Sequence, residues 1–195
     1  MVNSTDFYEQ NAQSFFDSTV DVDMSELYDR FLPLVPDGGL ILDAGCGSGR
    51  DSLTFQDRGY SVIAIDASES LCELASVLLG KSVDCMRFNE IKLQGVVDAV
   101  WACASLLHVP KNELSGSILA LIRSLKPSGV MYCSFKLGDQ ERLVDGRFFS
   151  DMTDESFRAL MRDVSPGVEV ETWVTEDQRP DRNESWLNVL IKLDD

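Results

Sequence analysis

The stretch from Leu40 to Arg50, Leu-Ile-Leu-Asp-Ala-Gly-Cys-Gly-Ser-Gly-Arg, narrows the fold more than any other part of the chain. Leu40, Ile41 and Leu42 form a short apolar run that ends at the carboxylate of Asp43, the pattern of a buried parallel strand. Gly45, Gly47 and Gly49 follow at alternate positions, where side chains would keep a ligand away from the backbone. In a doubly wound α/β sheet the ligand crevice opens at such a turn after the first strand.

The detail of the turn decides which ligand. A dinucleotide fingerprint requires G-x-G-x-x-G, and Arg50 stands where its third glycine belongs. A phosphate loop requires Gly-Lys-Ser or Gly-Lys-Thr, which does not follow. Asp43 ahead of the glycines would repel a pyrophosphate and attract an ammonium. About twenty residues on, Val62-Ile63-Ala64-Ile65 is a second apolar strand ending in Asp66, where an acid can grip ribose hydroxyls.

Together Leu42-Asp43-Ala44-Gly45-Cys46-Gly47-Ser48-Gly49 and Ala64-Ile65-Asp66 resemble motifs I and II of the class I S-adenosylmethionine-dependent methyltransferases. The resemblance runs from about Tyr8 to Trp186, and within the superfamily it is similar to the small bacterial branch of tellurite-resistance and thiopurine-type enzymes. It implies a Rossmann-like α/β fold with a seven-stranded, mostly parallel sheet of order 3-2-1-4-5-7-6. The last strand would be antiparallel, with helices on both faces. It also implies S-adenosylmethionine as cofactor and S-adenosylhomocysteine as product. Asp43, Gly45, Cys46, Gly47, Gly49, Asp66, Ala67 and Ala102 would hold that cofactor. Asn89 would meet the adenine, with Glu90 beside it, and Tyr8 and Asn11 would line the site from an N-terminal helical cover.

Composition agrees with one domain spanning residues 1–195, a helical cover over 1–36 and a core over 37–195. A net charge of −16 disfavours nucleic acid and acidic membrane surfaces as partners. The N-terminus lacks a basic start and an apolar signal core, and no apolar run approaches the ~20 residues of a membrane span, so a cytoplasmic location is expected. Cysteines 46, 72, 85, 103 and 133 lack any C-x-x-C spacing and read as small buried thiols, with no metal.

Along the chain, amphipathic helices are expected over Asp6 to Phe16 and Met24 to Leu34. Asp51 is expected to cap a helix reaching Arg58, and Ser68 and Thr153 to cap two more. Strands are expected at Tyr60 to Ile65, Val83 to Phe88, Val96 to Cys103, Val130 to Phe135, Val168 to Thr175 and Trp186 to Leu193. The segment Asp98 to His108 resembles motif IV, without the Pro-Pro-Tyr or Pro-Cys of nucleic-acid methyltransferases, so Cys103 reads as a wall residue.

His108, the single histidine, follows the fourth strand and reads as cleft lining, with proton transfer as its alternative role. Lys136, Arg147 and Arg179 are candidate acceptor-binding cations at the carboxyl edge of the sheet, held apart by acids such as Glu141 or Asp177. The expected function is methyl transfer to a small acceptor that is anionic or presents a soft nucleophile. The alternatives are a tRNA or protein methyltransferase, or a cofactor-binding regulator without transfer activity. The sequence leaves the oligomeric state open.

Overall fold

A computed structural model describes residues 4–177 and 184–194. Two helices, α1 (Ser4–Thr19) and α2 (Ser25–Phe31), precede the sheet. The core strands are β1 (Leu40–Ala44), β2 (Ser61–Asp66), β3 (Asp84–Cys85), β4 (Val97–Ala102), β5 (Leu125–Lys136), β8 (Glu169–Glu176) and β9 (Ser185–Lys192). Between them lie α3 (Arg50–Asp57), α4 (Glu69–Leu79), α5 (Lys111–Ser124), α6 (Asp154–Val164) and a hairpin of β6 (Glu141–Val144) and β7 (Arg147–Ser150).

The seven-stranded sheet runs β3-β2-β1-β4-β5-β9-β8, with β9 antiparallel to both neighbours. With the hairpin set aside this is the expected order 3-2-1-4-5-7-6. One apolar cluster packs around Leu42, Val100, Met131 and Ile191; another gathers Phe31, Phe55, Trp101 and Tyr132. These two clusters bury both faces of the sheet, as parallel strands require. Among the described residues no helix is long and apolar enough to cross a membrane.

Several boundaries differ from expectation. The third strand shrinks from Val83–Phe88 to two exposed residues, because the Glu90 carboxylate accepts from the Arg87 amide at 2.8 Å and turns the chain into a 3-10 turn, Phe88–Glu90. Asp51 does not cap α3. Gly49 occupies the cap with φ +81°, and the Asp51 side chain is drawn into the core. Ser68 and Thr153 do cap α4 and α6, accepting from Leu71 N and Ser156 N. The hairpin was unforeseen: its Asp145-Gly146 turn joins two short runs of mixed polarity that show no clean alternation.

Candidate active site

The glycine turn after β1 is tied to the end of β2. Gly45 N and Cys46 N both donate to Ile65 O, at 2.8 and 2.9 Å. Gly47 N then donates to Asp66 Oδ2 and Ser68 N to Asp66 Oδ1, both at 2.9 Å. One carboxylate therefore joins the turns after β1 and β2. Burial pushes its pKa up, and the amide hydrogen bonds oppose that shift. The glycines are needed for space as well as for their positive φ: a Cβ on Gly45 would fall 2.4 Å from Ser105 Cβ, and one on Gly47 3.1 Å from the Phe15 ring.

A cavity of about 1500 Å³ opens at the carboxyl ends of β1, β2, β4 and β5, where doubly wound sheets take ligands. Of the residues expected at the site, Gly45, Cys46, Gly47, Asp66, Ala67 and Asn89 line one part of it. Tyr8, His108, Lys136 and Arg147 line the rest. Asp43, Gly49 and Ala102 lie outside the lining, and so do Asn11 and Glu90.

Each exception has a local cause. Asp43 is 1% exposed and accepts from Ser52 Oγ at 2.6 Å, so its side chain faces α3; burial and the neighbouring Asp51 charge push its pKa up. Gly49 packs on Ala75 of α4, and Ala102 belongs to the apolar core. Asn11 sits at a kink in α1, where its Nδ2 donates to Phe7 O at 2.8 Å. Asp98, the motif IV acid, accepts from Leu40 N and pairs with Lys126, each at 2.8 Å. Arg179 lies outside the described residues.

His108 is held between two partners. Its Nδ1 lies 2.7 Å from Phe148 O, which can only accept, so Nδ1 carries the proton. Nε2, 2.8 Å from the Tyr8 hydroxyl, is then an acceptor. Burial lowers the pKa to about 4, and the Arg147 and Lys136 charges act in the same direction. A neutral imidazole with its lone pair engaged suits lining and orientation rather than proton abstraction.

Sequence reasoning missed a buried polar cluster in the cavity wall, where Arg50 and Asp51 line the space. Asp51 accepts from Tyr28 OH at 2.5 Å, from Trp101 Nε1 at 2.7 Å, and from Arg50 Nε and Nη2 at 2.6 and 3.0 Å. Burial raises the Asp51 pKa, but the Arg50 guanidinium and these hydrogen bonds outweigh it and hold the group below the usual carboxylate range. Tyr28 and Trp101 meet the adjacent pair Arg50 and Asp51 from distant parts of the chain, a pattern no local periodicity carries. Burial, with the Asp51 charge second, pushes the Cys103 thiol up to about 12, consistent with a wall residue.

At the other end Lys136 is buried and ion-paired with Glu184, an acid not singled out in the sequence. Glu141 accepts from Lys111 N at 2.8 Å, and Asp177 accepts from Trp186 Nε1 at 3.2 Å. The Arg147 guanidinium lies 4.8 Å from the Phe7 ring centroid and 5.3 Å from that of Phe149. Among the described residues it has no carboxylate partner, and its buried Nε has no hydrogen bond. Asn188 completes this wall, accepting from Tyr132 OH at 2.7 Å and donating to Thr175 Oγ1 at 2.9 Å.

Residues 41–129 match a family model described as a methyltransferase domain. The chain is similar to the Bacillus subtilis protein YqeM, 29% identical over 116 residues, 54% of this chain and 47% of that protein. It is also similar to a ubiquinone biosynthesis O-methyltransferase of Rickettsia canadensis, 30% identical over 99 residues, 48% of this chain and 41% of that one. The matched regions thus span less than half the length of these curated relatives. In fold it resembles the Burkholderia thailandensis 1,6-didemethyltoxoflavin-N1-methyltransferase, solved with 1,6-didemethyltoxoflavin and S-adenosylhomocysteine bound. The TM-score is 0.78 at 18% identity, over 98% of this chain and 87% of that one.

Proposed function

We propose that this chain is a class I S-adenosylmethionine-dependent methyltransferase that methylates a small acceptor, anionic or presenting a soft nucleophile; the methyltransferase-domain match over residues 41–129, the similarity to methyltransferase relatives and the shared fold support that reading. The observation that carries this reading is one cavity with two chemically distinct ends. Its volume of about 1500 Å³ exceeds the roughly 300–1,000 Å³ of an ordinary ligand pocket, which leaves room for an acceptor beside a cofactor.

The glycine-turn end fits the cofactor. No side chain fits at Gly45, and Gly47 leaves little more space under Phe15, so a ligand can approach the backbone closely. The Asp66 carboxylate uses two of its acceptor sites on amides and keeps others for ribose hydroxyls. Ala67, Asn89 and Cys46 would flank the nucleoside, and Tyr8 would close over it. Asp43, Gly49 and Ala102 support this end from behind. When bound, S-adenosylmethionine supplies a methyl group already activated on a sulfonium.

The chain's task is then alignment and exclusion of water, which can supply several kcal/mol by proximity alone. His108 holds Tyr8 in place without exchanging a proton near neutrality. Arg147, with Lys136 nearby, attracts an acceptor's negative charge, and the Phe149 face supplies apolar contact. Since neither His108 nor Cys103 is poised as a base, the acceptor reacts as an anion or a soft neutral nucleophile. The structural neighbour solved with 1,6-didemethyltoxoflavin bound supports the reading of a small-molecule acceptor.

Screening small carboxylates, thiols and nitrogen heterocycles for acceptor-dependent release of S-adenosylhomocysteine tests the proposal. Tight cofactor binding with no turnover across the set would favour the regulator instead.

A further inference from the structure

Of the five cysteines, two that are far apart in any spacing motif meet outside the cavity. Cys72, buried in the first turn of α4, directs its thiol to Asp66 O at 3.5 Å. Cys85, exposed on β3, directs its thiol to the next carbonyl, Ala67 O, at 3.8 Å. The strand register places Cys85 opposite Asp66, so the two thiols point at successive carbonyls of one turn. Both therefore grip the turn after β2, whose other side, Asp66 to Ser68, lines the cavity.

We propose that Cys72 and Cys85 form a dithiol site that small-molecule disulfides oxidise to an intramolecular disulfide, bracing the turn between β2 and α4. The exposed Cys85 thiolate attacks the reagent disulfide and expels one small thiol. Cys72 then attacks the Cys85 sulfur of the mixed disulfide and expels the second. Two protein thiols become one S–S bond, and the reagent takes up both electrons and protons as two free thiols.

Burial first, then nearby acids that include Asp66, raises both thiol pKa values, Cys72 to about 12. At neutral pH the pair rests protonated, so closure is slow and needs sustained oxidation. The bond would tie the start of α4 to an edge strand only two residues long, which few backbone hydrogen bonds otherwise anchor. The site is independent of which molecule fills the cavity.

The test incubates the folded full-length protein with oxidised glutathione and reads intact mass, a peptide map and amide hydrogen exchange. Expected is a mass lower by two hydrogens, a Cys72–Cys85 cross-linked peptide, and slower exchange around residues 66–72, all reversed by a reductant. Cys85→Ser, at an exposed position, should lose the cross-link while keeping the wild-type melting profile. A stable glutathione adduct on Cys85, a dimer linked through it, or a cross-link that leaves exchange unchanged would overturn the proposal.

Discussion

The Tyr8 hydroxyl sits 2.8 Å from His108 Nε2, so the first helix and the turn after β4 meet across the cavity. Burial of the imidazole there, helped by the Arg147 and Lys136 charges, keeps the single histidine neutral. With its folded pKa lowered to about 4 from an ordinary 6.5, the unfolded chain binds the proton more readily between those values. Stability from this group is therefore complete above about pH 6.5 and lost as pH falls towards 4, up to about 3 kcal/mol. Urea midpoints across that range should fall more steeply for wild type than for His108→Gln. Parallel curves would remove the assignment.

Asp66→Ala should weaken S-adenosylhomocysteine binding by about 1.5–3 kcal/mol, roughly ten- to hundredfold, through lost charge-assisted hydrogen bonds. Calorimetric titration measures it. Since Asp66 also holds the Gly47 and Ser68 amides, thermal melting should accompany the titration and show a modest fall.

Gly45→Ala should cost roughly 1–3 kcal/mol of stability by overpacking against Ser105, and should damage cofactor binding. Gly80→Ala makes the comparison: its positive φ is similarly unfavourable, but open space surrounds it. A Gly45→Ala protein that binds S-adenosylhomocysteine as wild type does would contradict the close-approach role.

On the acceptor side, Arg147→Ala should leave S-adenosylhomocysteine affinity within about twofold and raise the acceptor KM on the order of tenfold or more. Steady-state kinetics with any acceptor found by the release screen separates the two effects. Glu184→Gln should do the opposite, strengthening binding of anionic acceptors by releasing the Lys136 charge from its partner.

Activity should survive both chelation and Cys103→Ser. The thiol rests protonated, and no group of three or more suitable metal ligands occurs among the described residues. Full loss in either experiment would point to a covalent or metal-assisted step.

The parts of this molecule legible in sequence are those with local causes. Glycines at 45, 47 and 49, the acid ending β2, and the caps at Ser68 and Thr153 each act within a few residues of their own position. The hairpin escaped because its partners are remote in sequence: Phe149 packs into the main apolar core, Ser150 Oγ donates to Val109 O, and Ser4 Oγ accepts from Phe148 N at 2.9 Å. Asp51 was assigned to a helix cap because its spacing suited one; two aromatic partners from distant segments, together with the neighbouring Arg50, drew it inward instead. The expected role for Asp43 followed from its charge, yet strand alternation turned that side chain towards Ser52. Lys136 was correctly placed at the sheet's edge, but its counterion could be identified only once β9 lay alongside.

The first helix is bonded to four separate segments: Ser4 to Phe148, Tyr8 to His108, Glu9 to Ser70 Oγ at 2.6 Å, and Thr19 O to the Arg50 guanidinium. It contributes no strand to the sheet. Roof and floor are therefore separable in heredity: substitutions along residues 4–19 can reshape what is admitted without disturbing the strands that define the fold. The positions of that helix that hold Tyr8 over His108 and Phe15 over Gly47 are tied to the floor; those with no bond or packing contact to it are free to vary with no strand moved.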